Sequence, residues 1–137
     1  VLCVSWPALA HQRGRRTRWS AYFAALSPWA AQHGVTLPHV PAHVEPSWHL
    51  FHLVLPSLSE RQAMIAHLRA RGVHAVFHYL PLHLSSKGRS LGGREGSCPV
   101  TEGISDRLLR LPLYNGMTDE EQGRVIDAVL TFDGAAV

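Results

Sequence analysis

The sequence predicts an α/β domain of the α+β kind: a small three-stranded, mainly antiparallel sheet packed by helices and preceded by a long, bent helical arm. Three observations predict it. A stripe of apolar residues at helical spacing runs through the first thirty residues, two Ser/Thr-x-x-Glu/Gln signatures open shorter helices further on, and three short apolar runs lie between the helical segments.

From about Pro7 to His33 the pattern is helical, with Leu9, Trp19, Tyr22, Phe23 and Leu26 near one stripe and the arginines on the other side. Pro7 suits a first turn, whereas Pro28 lacks the N–H that the preceding turn needs and predicts a kink or a restart. Residues 34–46 carry Pro38, Pro41 and Pro46 and read as an extended linker, so the expected division is a helical arm and linker over 1–46 and a domain over 47–137. Trp48 to Leu55 is apolar on both faces, as in a strand covered on both sides. Ser59 and Gln62 form a capping-box signature for a helix that Gly72 stops, and His74 to Tyr79 follows as the next strand. Ser85 to Ser97, rich in Gly, Ser and Arg, buries little and reads as a lid or a gap. Thr101 caps a short helix through Leu108, and Arg110 to Tyr114 is a third strand that Pro112 pushes to a sheet edge. Thr118 with Glu121 opens the last helix, whose buried face carries Val125, Ile126, Val129 and Leu130.

Composition narrows the function classes. The 137 residues are 46% hydrophobic, enough for one modest core. The net charge is +3 with His neutral, and most of the excess sits in Arg13, Arg15, Arg16 and Arg18, so attraction to nucleic acid is local and not compelled. Cys3 and Cys98 are too few for a disulfide framework and lack C-x-x-C spacing, which makes the cytoplasm the default compartment. No apolar run approaches the ~20 residues needed to span a bilayer. The opening Val1-Leu2-Cys3-Val4 has no charged leader and reads as a cut edge.

The chemical candidates concentrate at one strand exit. His78, Tyr79 and His83 flank Pro81, which restricts the turn, and either a ligand or ordinary turn hydrogen bonds would satisfy their polar groups. No metal site is expected. His49 and His52 fall on opposite faces of a strand, and His74 and His78, on one face, stand roughly 13 Å apart. Lys87 is the single lysine, and its Ser and Gly neighbours offer no shelter for a lowered amine pKa, so it reads as solvated. Asp119, Glu120 and Glu121 sit where negative charge complements a helix dipole.

Phe51-His52-Leu53-Val54-Leu55, the turn His78-Tyr79-Leu80-Pro81-Leu82-His83, and Ser105 to Tyr114 followed by Met117-Thr118-Asp119 recur in order and spacing. Over about Trp19 to Phe132 they resemble the carboxyl-terminal small domain of the DegT/DnrJ/StrS sugar aminotransferases, whose fold is that of fold-type I aminotransferases. The resemblance implies a pyridoxal-phosphate-dependent transfer of an amino group from glutamate to a dTDP-4-keto-6-deoxy sugar, in cell-surface polysaccharide (lipopolysaccharide) biosynthesis. It implies that the Schiff-base lysine and the cofactor cradle belong to a large domain outside this chain. No catalytic residue and no bound cofactor are then expected here, and the isolated chain is expected to be inactive. What it lends the chain is substrate contact by His78, Tyr79 and His83. Homo-oligomerisation is expected as well, with neither nucleic acid nor membrane as partner. The reading from another class is a non-catalytic interaction or dimerisation module, since a domain without its neighbour exposes apolar area.

Overall fold

The computed structural model describes residues 6–134, with side chains from residue 12 onward, so the expectations for Cys3 and Leu9 lie outside what it describes. The first helix, α1 (Trp6–Gln32), runs without a break through Pro28. Pro28 deprives the Ala24 carbonyl of its helical donor but lies within the last two turns, where little helix remains to be lost. One side of α1 buries Tyr22, Leu26, Trp29 and Ala30 in the same hydrophobic cluster as the sheet and the later helices.

Three strands follow: β1 (Phe51–Val54), β2 (Val76–Phe77) and β3 (Leu108–Leu111), in the order β1-β3-β2 with both pairings antiparallel. The predicted sheet is therefore present, but the last strand corrects the expectation in position and place. It begins at Leu108, stops before Pro112 and occupies the centre instead of an edge. Proline cannot donate to a ladder, so a strand that must pair on both sides ends ahead of it. The first two strands are also shorter than the sequence predicts. Trp48 takes a left-handed φ of 53°, which breaks the extended run before β1.

Helix α2 (Leu58–Ala70) is capped by Ser57, whose Oγ accepts from Glu60 N at 3.1 Å, and not by Ser59, whose hydroxyl meets that of Ser57. Residues 82–97 are folded, not a gap: a 3-10 turn at Leu82–Leu84 leads into the short α3 (Ser86–Ser90). The glycines of this stretch allow it to close. A Cβ on Gly88 or Gly93 would run into the backbone carbonyl of Leu82 or His83, so α3 lies directly against the turn that carries His83. Helix α4 (Pro99–Arg107) starts three residues earlier than a cap at Thr101 predicts, with Cys98 at its N-cap and Pro99 in the first turn, where a missing N–H costs nothing. The predicted capping box of α5 (Asp119–Leu130) is complete, Thr118 and Glu121 each satisfying the other's backbone N–H.

Phe51, Leu53, Leu109 and Leu111 point to one sheet face and form the core with Tyr22, Leu26, Met64, Leu68, Val125 and Val129 from the helices. Tyr22 also donates its hydroxyl to the Pro112 carbonyl at 2.8 Å, which fastens α1 to the end of β3. The arginine cluster of α1 is largely engaged. Arg15 bonds the neutral Asn115, Arg16 lies over the Trp48 ring, and Arg18 pairs with Asp119 and Gln122.

Candidate functional site

The sheet register builds the site. His52 pairs with Arg110 and Arg110 with Val76, so these three stand side by side on the face opposite the core, and alternation along β2 puts His78 on the same side. None of them joins the hydrophobic cluster. Beside them opens a cleft of about 440 Å³ lined by His49, His74, His78, Tyr79, Arg110 and Pro112, among others.

Within this cleft the polar groups are unsatisfied. Nδ1 of His78 and Nε of Arg110 are both buried without a hydrogen-bond partner. The Arg110 guanidinium lies 5.5 Å from the centre of the Tyr79 ring, and the rings of His78 and Tyr79 stand 4.8 Å apart. Tyr79 itself is 70% exposed, so its face and hydroxyl are open to a ligand. Burial, and secondarily the nearby His78, hold the His52 imidazole below its ordinary pKa, which keeps His52 neutral beneath the cleft. A fixed guanidinium, an imidazole and an aromatic wall together suit the oxygens of a phosphate or a sugar against a flat ring. Among the described residues no three His, Cys, Asp or Glu side chains are placed to share a metal ion.

The structure brings two of the three sequence-predicted residues together. His78 and Tyr79 line the cleft, and the Tyr79 carbonyl is held by the Ser105 hydroxyl at 3.0 Å. His83 is turned elsewhere: its Nε2 lies 2.7 Å from Oε1 of Glu102. Glu102 also accepts from Gly96 N at 2.9 Å and Cys98 N at 3.1 Å. The Gly96 N–H, then the His83 bond, then the Cys98 N–H hold the Glu102 carboxyl below the usual carboxylate range. An ionised carboxylate only accepts, so Nε2 of His83 carries the proton and Nδ1 is the nitrogen outside this contact. Arg110 and Glu102 were missed by sequence reasoning. A strand assigned two residues earlier would have placed Arg110 opposite His52, and Glu102 carried no sequence signal at all.

A small three-stranded antiparallel sheet packed by helices behind a long first helix is the fold of an aminotransferase small-domain region, as solved structures show. The chain matches the Streptomyces venezuelae DesV structure, solved in complex with a ketimine intermediate, with a TM-score of 0.79 and 31% identity over 88% of this chain and 31% of that one. It matches the aminotransferase TlmJ from Streptoalloteichus hindustanus with a TM-score of 0.74 and 34% identity, over 86% of this chain and 30% of the other. Among curated relatives, the dTDP-3-amino-3,4,6-trideoxy-alpha-D-glucose transaminase of Streptomyces venezuelae is 34% identical over 94% of this chain and 33% of its own length. Residues 6–130 match the DegT/DnrJ/EryC1/StrS aminotransferase family, and the chain belongs to it. It spans about a third of the length of the curated relatives it matches.

The residues present do not supply a sheltered lysine to anchor pyridoxal phosphate. Lys87 is exposed on the five-residue α3, where nothing desolvates its amine. The first turn of α5 carries Asp119, Glu120 and Glu121, which would repel a phosphate from that helix end.

Proposed function

We propose that this chain is the small-domain portion of a pyridoxal-phosphate-dependent nucleotide-sugar aminotransferase and supplies one wall of its substrate cleft. The observation that carries the reading is the pair of unpartnered polar atoms, His78 Nδ1 and Arg110 Nε, on the sheet face away from the core. Buried polar atoms without partners are costly unless a ligand or a second domain completes them. In this reading 1–46 is the arm and linker and 47–137 the small domain. His78 and Arg110 donate to oxygens of a dTDP-sugar, Tyr79 stacks against it, and His83 contributes through Nδ1 while Glu102 fixes its ring. The cofactor and the Schiff-base lysine belong to a large domain, the amino donor is glutamate, and the whole enzyme works in the cytoplasm as a homo-oligomer making amino sugars for surface polysaccharide. The finer reading, a keto carbon at position 4 as in dTDP-4-amino-4,6-dideoxygalactose transaminases, rests on the run Ala75 to His83 alone.

Titration with dTDP-glucose, followed by NMR, tests the wall. Saturable shifts are expected at His78, Tyr79 and Arg110, and shifts confined to other faces, or none, overturn the assignment. Mixing the chain with pyridoxal phosphate tests the rest. A covalent absorption band that disappears in Lys87→Ala would show that the chain carries its own catalytic lysine.

A further inference from the structure

A second site lies on the other side of β2. Between α2, β2 and the end of α4 is a groove of about 500 Å³, into which Arg61 and Arg69 project from α2 and Asp106 from α4. Arg61 is only 7% exposed, its Nε is buried without a partner, and among the described residues it makes no ion pair. Its guanidinium lies 5.4 Å from the centre of the Phe77 ring. Phe77 follows Val76 and precedes His78, so alternation turns it away from the sugar cleft.

We infer that this groove binds a small monoanionic carboxylate carried on an apolar body. A guanidinium stays protonated at any accessible pH, and burying it without an ion-pair partner is unfavourable, so an anion has a strong reason to enter. The planar fork of Arg61 matches a carboxylate through two parallel N–H donors. Charge selects the monoanion. The formal charges of Arg61, Arg69 and Asp106 leave one positive unit, which a single carboxylate neutralises and a phosphate dianion exceeds. The walls select the body: Ile65, Val73, Phe77 and Leu80 present apolar surface, with Phe77 at 50% and Leu80 at 61% exposed and ready to be covered. The site shares no guanidinium with the sugar cleft and does not depend on the chain being part of an aminotransferase.

Hexanoate is the probe, followed by the Arg61 Nε–H signal and the Phe77 ring protons, with hexanamide, inorganic phosphate and Arg61→Gln as comparisons. Saturable shifts with hexanoate are expected, weakened at least roughly tenfold with hexanamide and in Arg61→Gln, where the charge-assisted pair is gone. If Arg61→Gln does not fold, Phe77→Ala replaces it, since removing a half-exposed ring should weaken hexanoate and leave the response to phosphate unchanged. Equal responses to hexanoate and hexanamide, a phosphate response as strong as that to hexanoate, shifts centred on His78 and Arg110, or no saturable shift with hexanoate would each overturn the inference.

Discussion

Glu102 ties three separate pieces of backbone and side chain together, since His83, Gly96 and Cys98 all donate hydrogen bonds to it. Glu102→Gln keeps the shape but loses the charge that makes these bonds strong, so amide exchange at Gly96 and Cys98 should accelerate and the His83 ring should lose its fixed orientation. The pH dependence has a definite sign. Because folding lowers the Glu102 pKa, its contribution is complete above the ordinary carboxylate value of 4.5 and is lost as pH falls through the lower folded value. Unchanged exchange at Gly96 between neutral and acidic pH, after correction for intrinsic rates, would remove Glu102 from this role. His52 behaves in parallel from the basic side. Its folded pKa lies below 6.5, so neutral His52 supports the fold fully above 6.5 and protonation opposes it as pH drops toward the folded value. Replacing the like-charged neighbour, as in His78→Gln, should move the His52 midpoint upward in an NMR titration. At this scale His78 and Tyr79 were legible because they are polar residues at a strand exit. Arg110 was not, because its neighbours are set by strand register, which only long-range pairing decides.

The helices show which local signals survive folding. Thr118 and Glu121 form the reciprocal cap the sequence predicts, and Thr118→Ala should lower stability by about 1 kcal/mol in denaturant unfolding. In α2 the signature pointed to Ser59, while Ser57 holds the cap through Glu60 N. Both serines satisfy the same short pattern, and the choice falls to Ser57 because β1 ends at Val54 and leaves only a brief connection before the helix. Ser57→Ala should therefore cost about 1 kcal/mol and Ser59→Ala much less. Equal effects would contradict the cap. The third strand was misplaced for a comparable reason: Pro112 correctly argued against an internal ladder position, but the strand had ended one residue before it. The glycine-rich stretch after Ser85 was read as loose from composition, although Gly88 and Gly93 are there to permit a close approach of backbone to backbone.

The whole molecule is a sheet with one face buried by helices and a second region, from Phe77 to Val100, that leaves large apolar side chains uncovered. Tyr79, Leu80, Leu82, Leu91 and Val100 are 61–83% exposed. In relatives three times as long, further chain exists to meet such a surface. The chain on its own has only solvent or another copy to offer. Two readings therefore separate at this scale. If the exposed residues are an orphaned domain contact, self-association should be weak and should follow apolar area. If they form a dedicated dimerisation module, it should be tight and sensitive to a single residue. Leu80→Ser with Leu82→Ser should shift light-scattering mass toward the monomer at a given concentration. It should leave stability within about 0.5 kcal/mol, because neither side chain belongs to the core. A well-defined dimer with a submicromolar midpoint, abolished by one of the two serines alone, would favour the module and count against the cleft wall. Graded, concentration-dependent association relieved by the two serines would favour a domain that has lost the surface it evolved to cover.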